Sequence, residues 1–238
     1  MTLESSTHDH RRTAFPAAAG QTTVFLNAVY GWMCLGLVVT AATAWLTAAS
    51  PTLVRTILAN GPLFWLLAIV QLGIVFVLSA RVQQLTSTTA AVLFIAYSGL
   101  TGLTLSFVLL VFTGESIAAT FLVSGGTFAG LALYGTTTQR NLSGLGQFLF
   151  MGLLGVVLAS IVGVFWHNDG LQFVLSLVGV IVFAGLTAYD AQRLAGMAQQ
   201  APSDEVSSYA IVGALALYLD FMNLFLFLLR FTGTRRDR

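Results

Sequence analysis

The chain has 238 residues, of which 57% are hydrophobic and 8% charged, with a mean hydropathy of +0.87 and a formal net charge of +1. Soluble domains carry about one quarter charged residues, so lipid must cover much of this surface. The near-neutral balance excludes a nucleic-acid partner, and the absence of lysine excludes a retinal Schiff base or a P-loop lysine.

In chain order, MTLESSTHDHRRTAFPAAAG (1–20) is polar and lacks the pattern of a cleaved signal. It is expected to be a disordered cytoplasmic tail. Seven apolar runs follow, each near the ~20 residues that cross a bilayer as helix: Val24–Ala48, Pro62–Ala80, Thr88–Phe112, Ile117–Tyr134, Gly146–Trp166, Leu171–Tyr189 and Tyr209–Leu229. They are continuous rather than alternating, which disfavours a strand barrel. The expected class is therefore an all-α integral membrane protein, with a membrane domain over 21–232 and a short basic tail over 233–238. Small residues recur in the runs (Gly99, Gly102, Gly125, Gly126, Gly130, Gly152, Gly155) and are expected at close helix contacts. Cys34, the single cysteine, lies in the first run, so no intrachain disulfide is possible.

Arginine placement sets the expected orientation. Arg11, Arg12, Arg81, Arg140 and Arg193 fall on the side of the N-terminus, whereas the opposite short loops carry only Arg55 with Glu115 and Asp169. That puts the N-terminus in the cytoplasm. Seven spans then put the C-terminus outside, although Arg235, Arg236 and Arg238 argue against it. Glu115 and Asp169 could draw divalent cations to an outer mouth, but exposed loop acids are commonly just solvated. His8, His10 and His167 are too scattered for a metal site, and no motif indicates an organic cofactor.

Charges inside spans are costly and usually face the bundle interior. Asp220 sits mid-run in ALALYLDFMNLFLFLL, about 16 Å along a helix starting at Tyr209. Asp190 closes the sixth run in FAGLTAYDAQRL, and Arg81 closes the second in FVLSARVQQL. The second and sixth spans run in the same direction, so these similar ends place Arg81 and Asp190 at similar depth. If the sixth helix continues to about Met197, Asp190 and Asp220 can meet inside the protein. Two carboxyl groups in a poorly hydrated site cannot both ionise cheaply, and such a pair titrates as a unit. A bland arrangement stays open beside this one: Asp190 paired with Arg193 one turn on, and Asp220 hydrogen-bonded to Asn223 or Tyr218.

GLTAYDAQRL followed by ALALYLDFMNLFLFLLR resembles the closing signature of the Bax inhibitor family, in its bacterial branch. FLNAVYGWMCLGL, LTGLTLS and LYGTTTQRNLSGLG extend the resemblance over nearly the whole chain. It implies a seven-helix fold in which the last helix is central and wrapped by the other six. It also implies a pH-sensitive calcium leak in the bacterial inner membrane, not an enzyme, with a di-aspartyl sensor that falls on Asp190 and Asp220. Those two would contact calcium transiently, with Tyr189, Arg193, Tyr218 and Asn223 as neighbours and Arg81 as the linked arginine of the second helix. The loop GMAQQAPSDEVSSYA departs from the family in being long and acidic. The alternative is a non-catalytic regulator that engages an AAA-type membrane protease, or other membrane proteins, through its N-terminal tail. Two protease classes fit poorly. No glycine-rich turn precedes Asp220, as an intramembrane aspartyl protease requires. Ser98 lacks the leading glycine of a rhomboid motif.

Overall fold

The structure is a computed structural model that describes residues 9–58, 60–166, 168–198 and 206–236; side chains are described from residue 22 on, except at 58, 164 and 206. The elements are α1 (Asp9–Ala48), α2 (Pro51–Leu58), α3 (Gly61–Ala80), a 3-10 turn (Val82–Gln84), α4 (Ser87–Val111), α5 (Gly114–Thr137), α6 (Ser143–Phe165), α7 (Asp169–Met197) and α8 (Val206–Thr232). All but α2 and the turn contain a stretch long and apolar enough to cross a membrane, seven in all among the described residues. The chain is an all-α integral membrane protein. The tail expected over 1–20 falls partly outside the described residues, and from Asp9 the backbone is helical.

The helices outrun the apolar runs because polar residues cap them beyond the hydrophobic stretch. Asn60, Thr86, Thr113 and Asn168 each accept a backbone N–H from the first turn of the helix they open, satisfying a donor that lipid could not. Hence the fourth span runs Gly114–Thr137 rather than Ile117–Tyr134, and the sixth reaches Met197, two turns beyond Asp190. An element the apolar pattern does not reveal is α2, eight residues lying between the first two spans and packed on α1, α3 and α4. It is too short to register as a span.

Connections alternate between two faces. The near face carries the α3–α4, α5–α6 and α7–α8 connections, and the far face carries α2 and the C-terminal end. On the near face Ser208 Oγ donates to the Leu85 carbonyl at 3.1 Å, tying α8 to the end of α3. Also there, Gln192 accepts from Leu142 N at 2.9 Å and donates to the Arg140 carbonyl at 2.8 Å, clamping the α5–α6 turn onto α7. On the far face the tail folds back, with Thr113 N donating to the Thr234 carbonyl at 3.1 Å and Arg236 N to the Val111 carbonyl at 2.9 Å.

The last helix is the most enclosed: 67% of its most apolar window is buried, against 6% for α3. It packs against α1, α4, α5 and α7, and lightly against α3. The fifth span, α6, departs from an even ring of six, because it packs mainly on α7. Glycines explain the closeness: a Cβ on Gly146 would enter the Tyr189 ring, and one on Gly185 would lie 2.6 Å from Leu149 Cδ1. Among the small residues expected at contacts, Gly102 and Gly152 are tightly packed, but Gly99, Gly125, Gly126, Gly130 and Gly155 face open space. The sequence pattern marks where glycines cluster, not which side of a helix meets a neighbour.

Candidate functional site

Side chains at helical spacing on α7 and α8 line one cavity of ≈ 580 Å³ at the near-face end of the bundle. On α7 these are Phe183, Leu186, Asp190 and Arg193, with Tyr189 beside them; on α8 they are Ala216, Leu219, Asp220 and Asn223. Spacings of three and four residues put each set on one helix face. Ser79 closes the third side from the last turn of α3, and Ser143 to Leu153 of α6 supply the fourth.

Asp190 and Asp220 line the same cavity from α7 and α8, close enough for each to act electrostatically on the other. Asp220 is 5% exposed, and no N–H or O–H group among the described residues reaches its Oδ2. A carboxylate only accepts hydrogen bonds, so a direct hydrogen bond between Asp190 and Asp220 needs one shared proton. Extension of α7 to Met197 is what makes their proximity possible, since Asp190 would otherwise lie at the frayed end of a helix.

The bland arrangement fails for Asp220. Tyr218 is fully buried on another side of α8, where its hydroxyl lies 2.7 Å from Thr40 Oγ1. Asn223 Nδ2 turns back to the Leu219 carbonyl at 2.8 Å. Neither serves Asp220. For Asp190 the expected partner is partly present, because the Arg193 charge acts on it. Arg81 is not brought to the pair: it is exposed, caps the end of α3 and does not line the cavity, although Ser79 two residues earlier does. The end of the second span reaches the cavity through Ser79 and not through Arg81. His8, His167 and the acidic loop segment 199–205 lie outside the described residues.

Two aromatic residues that charge and motif did not single out close the cavity floor. Phe183 lines the floor and stacks on Phe227, with ring centroids 5.8 Å apart and planes 23° apart. The Phe227 ring sits on Gly179, where a Cβ would come within 2.6 Å of it. One and two turns from Gly179 along α7, Ser176 and Gln172 line a second cavity of ≈ 500 Å³ that opens at the far face with Arg230 and Arg235. Along the chain, Gly179 of α7 and Phe227 of α8 fall between the residues that line the two cavities. Phe183 lies in the same short segment as Asp190, but Phe227 is one ring in FLFLLR, and nothing local distinguishes it.

Seven apolar spans, with Asp220 buried and Asp190 half-buried on neighbouring helices, define a polytopic α-helical membrane protein. The family model described as "Inhibitor of apoptosis-promoting Bax1" matches residues 22–237, and the chain belongs to that Bax inhibitor family. It is 48% identical to the inner membrane protein YbhL of Escherichia coli (strain K12), with 93% of this chain and 95% of that protein covered. It is also 42% identical to an uncharacterised protein of Borreliella burgdorferi, covering 90% of this chain and 93% of that one. A Deinococcus radiodurans protein is 41% identical, with 91% and 93% covered.

Proposed function

We propose that the protein is a pH-sensitive calcium leak pathway of the inner membrane, non-catalytic and gated by the Asp190–Asp220 pair, with its N-terminus in the cytoplasm. The observation that supports this reading most is the buried carboxyl of Asp220, which shares a near-face cavity with the Asp190 carboxyl and whose Oδ2 has no hydrogen-bond partner among the described residues. With one proton shared, the pair ties α7 to α8 and the Phe183–Phe227 layer stays shut. Loss of that proton leaves two like charges side by side in a poorly hydrated cavity. They repel each other and attract a divalent cation, so α8 shifts against α7 and the cavity accepts calcium. A switch between two packings needs a difference of only a few kcal/mol.

The test is calcium flux from loaded liposomes across pH, with purified protein. Flux is expected to rise as the pH rises through the titration of the pair. Asp190→Asn and Asp220→Asn each remove one titrating partner and are expected to flatten the profile while the protein stays folded. Wild-type profiles in both variants would make the pair structural. Removing residues 1–19 leaves the flux intact on this reading, whereas regulation through the tail would be lost with it.

A further inference from the structure

We propose that the far-face cavity between α7 and α8 binds the phosphate of a phospholipid headgroup through Arg230 and Arg235. Arg230 stands at the end of the apolar stretch LFLFLLR, with Arg235 close enough to repel it. Both line the same ≈ 500 Å³ cavity, together with Asn168, Asp169, Gln172 and Ser176. Neutral or aromatic groups hold Arg230 in place: Nη1 donates to Gln172 Oε1 at 3.3 Å, and the guanidinium lies 5.8 Å from the Phe227 ring centroid. Asp169 shares the cavity wall, yet among the described residues neither arginine forms an ion pair with it or with any other acid. Two exposed arginines on one cavity at a membrane boundary are thus left without a counter-charge among the described residues.

Phosphate answers that arrangement better than any neutral group. Its oxygens accept from the planar forks of both arginines, and basic pockets between transmembrane helices are suited to headgroups. A single negative charge also balances two arginines and one aspartate. The surroundings favour a lipid over free phosphate. Phe173 and Phe231 pair at 5.3 Å between centroids beside the arginines and are 56% and 43% exposed. Phe173, Leu177 and Ile181, four residues apart on α7, form an exposed apolar stripe from the cavity rim toward the bilayer centre. An acyl chain can lie along it while the headgroup sits in the cavity. Aromatic rings at this level are the usual neighbours of headgroups. The inference does not depend on calcium flux.

The test is native mass spectrometry of the delipidated full chain with dioleoyl phosphatidylglycerol, with dioleoylglycerol and inorganic phosphate as the other arms. Wild-type protein is expected to retain one phosphatidylglycerol and no dioleoylglycerol, with millimolar phosphate failing to displace the lipid. Arg230→Gln and Arg235→Gln are each expected to weaken retention about fivefold, from roughly 1 kcal/mol per arginine near a headgroup. Arg55→Gln, on the same face but outside the cavity, is expected to change nothing. Equal retention by the wild type and the Arg230→Gln/Arg235→Gln double variant overturns the proposal. Displacement by phosphate alone overturns the lipid as occupant. A melting curve for each variant, with Arg230→Lys as the charge-keeping control, separates lost binding from lost fold.

Discussion

Along one pair of helices, α7 and α8, the near end brings two carboxyl groups together and the far end two guanidinium groups. Both ends are like-charge pairs beside a cavity, and Gly179 and Phe227 fall between them along the chain. The chemistry available to each differs. Carboxyl groups can relieve their repulsion by keeping a proton. Arginine does not give up its proton in proteins, so the far end needs an anion from outside. On the readings proposed above, one geometry with opposite charge gives a proton-dependent contact at one end and an anion-recruiting site at the other.

The sharpest way to break this comparison is to remove the ring between the two ends. Phe227→Ala deletes the ring that seats on Gly179 and stacks on Phe183, and is expected to join the two cavities along the seam. A calcium leak running along it is expected to increase about tenfold at every pH, the factor that corresponds to ~1.4 kcal/mol off the barrier. The same change costs roughly 3 kcal/mol of stability or more, so Phe227→Leu, which keeps most of the volume, is measured beside it and is expected to fall between. An unchanged leak in a folded Phe227→Ala protein would show that the cavities do not belong to one path.

A smaller effect is expected at the wall that sets the position of Tyr189 and Asp190. Valine at Gly146 must displace the Tyr189 ring, next to the carboxyl pair. Gly146→Val is expected to destabilise by about 1–3 kcal/mol through overpacking and to move the midpoint of the flux–pH profile. Gly130→Val adds a side chain where nothing lies within 4 Å and is expected to change stability by no more than about 0.5 kcal/mol. Thermal unfolding in detergent compares the two directly. Equal losses would mean that α6 is free to move away from α7, and the near cavity would lose its fixed wall.

How much of this could be read from residues alone depends on what each feature needs. Hydropathy and length locate the seven spans, because a bilayer imposes one length on all of them. The meeting of Asp190 and Asp220 follows from counting residues along two helices that share an end. Helix rotation is another matter. Arg81 is exposed and does not line the cavity, and Gly125 and Gly130 look like contact glycines yet face open space. In a run apolar on every side, no polar face reports which way the helix is turned. Phe227 and Arg230 escape for the same reason: their importance arises from Gly179 and Gln172 across the seam, some fifty residues earlier in the chain. The short helix α2 escapes because eight residues produce no span-length signal.

The smallest expected effect tests whether the faces of α8 act independently. Tyr218 is two residues from Asp220 but points to α1 and α4, with its hydroxyl 2.7 Å from Thr40 Oγ1 and its ring 5.8 Å from those of Phe94 and Tyr97. Thr40 also donates to the Ser98 carbonyl at 2.9 Å, so the hydroxyl joins three helices away from the acid pair. Tyr218→Phe removes this bond but keeps the ring, and Thr40→Val removes it from the other side. Hydrogen bonds between membrane helices average about 0.6 kcal/mol by double-mutant cycles, and a coupling energy of that size is expected here. The flux–pH profile should stay where it is, because no proton of the pair passes through Tyr218. A shifted midpoint in Tyr218→Phe would mean that α8 moves as one body with both contacts. The near end of the seam would then be set by all the helices around α8, not by α7 alone.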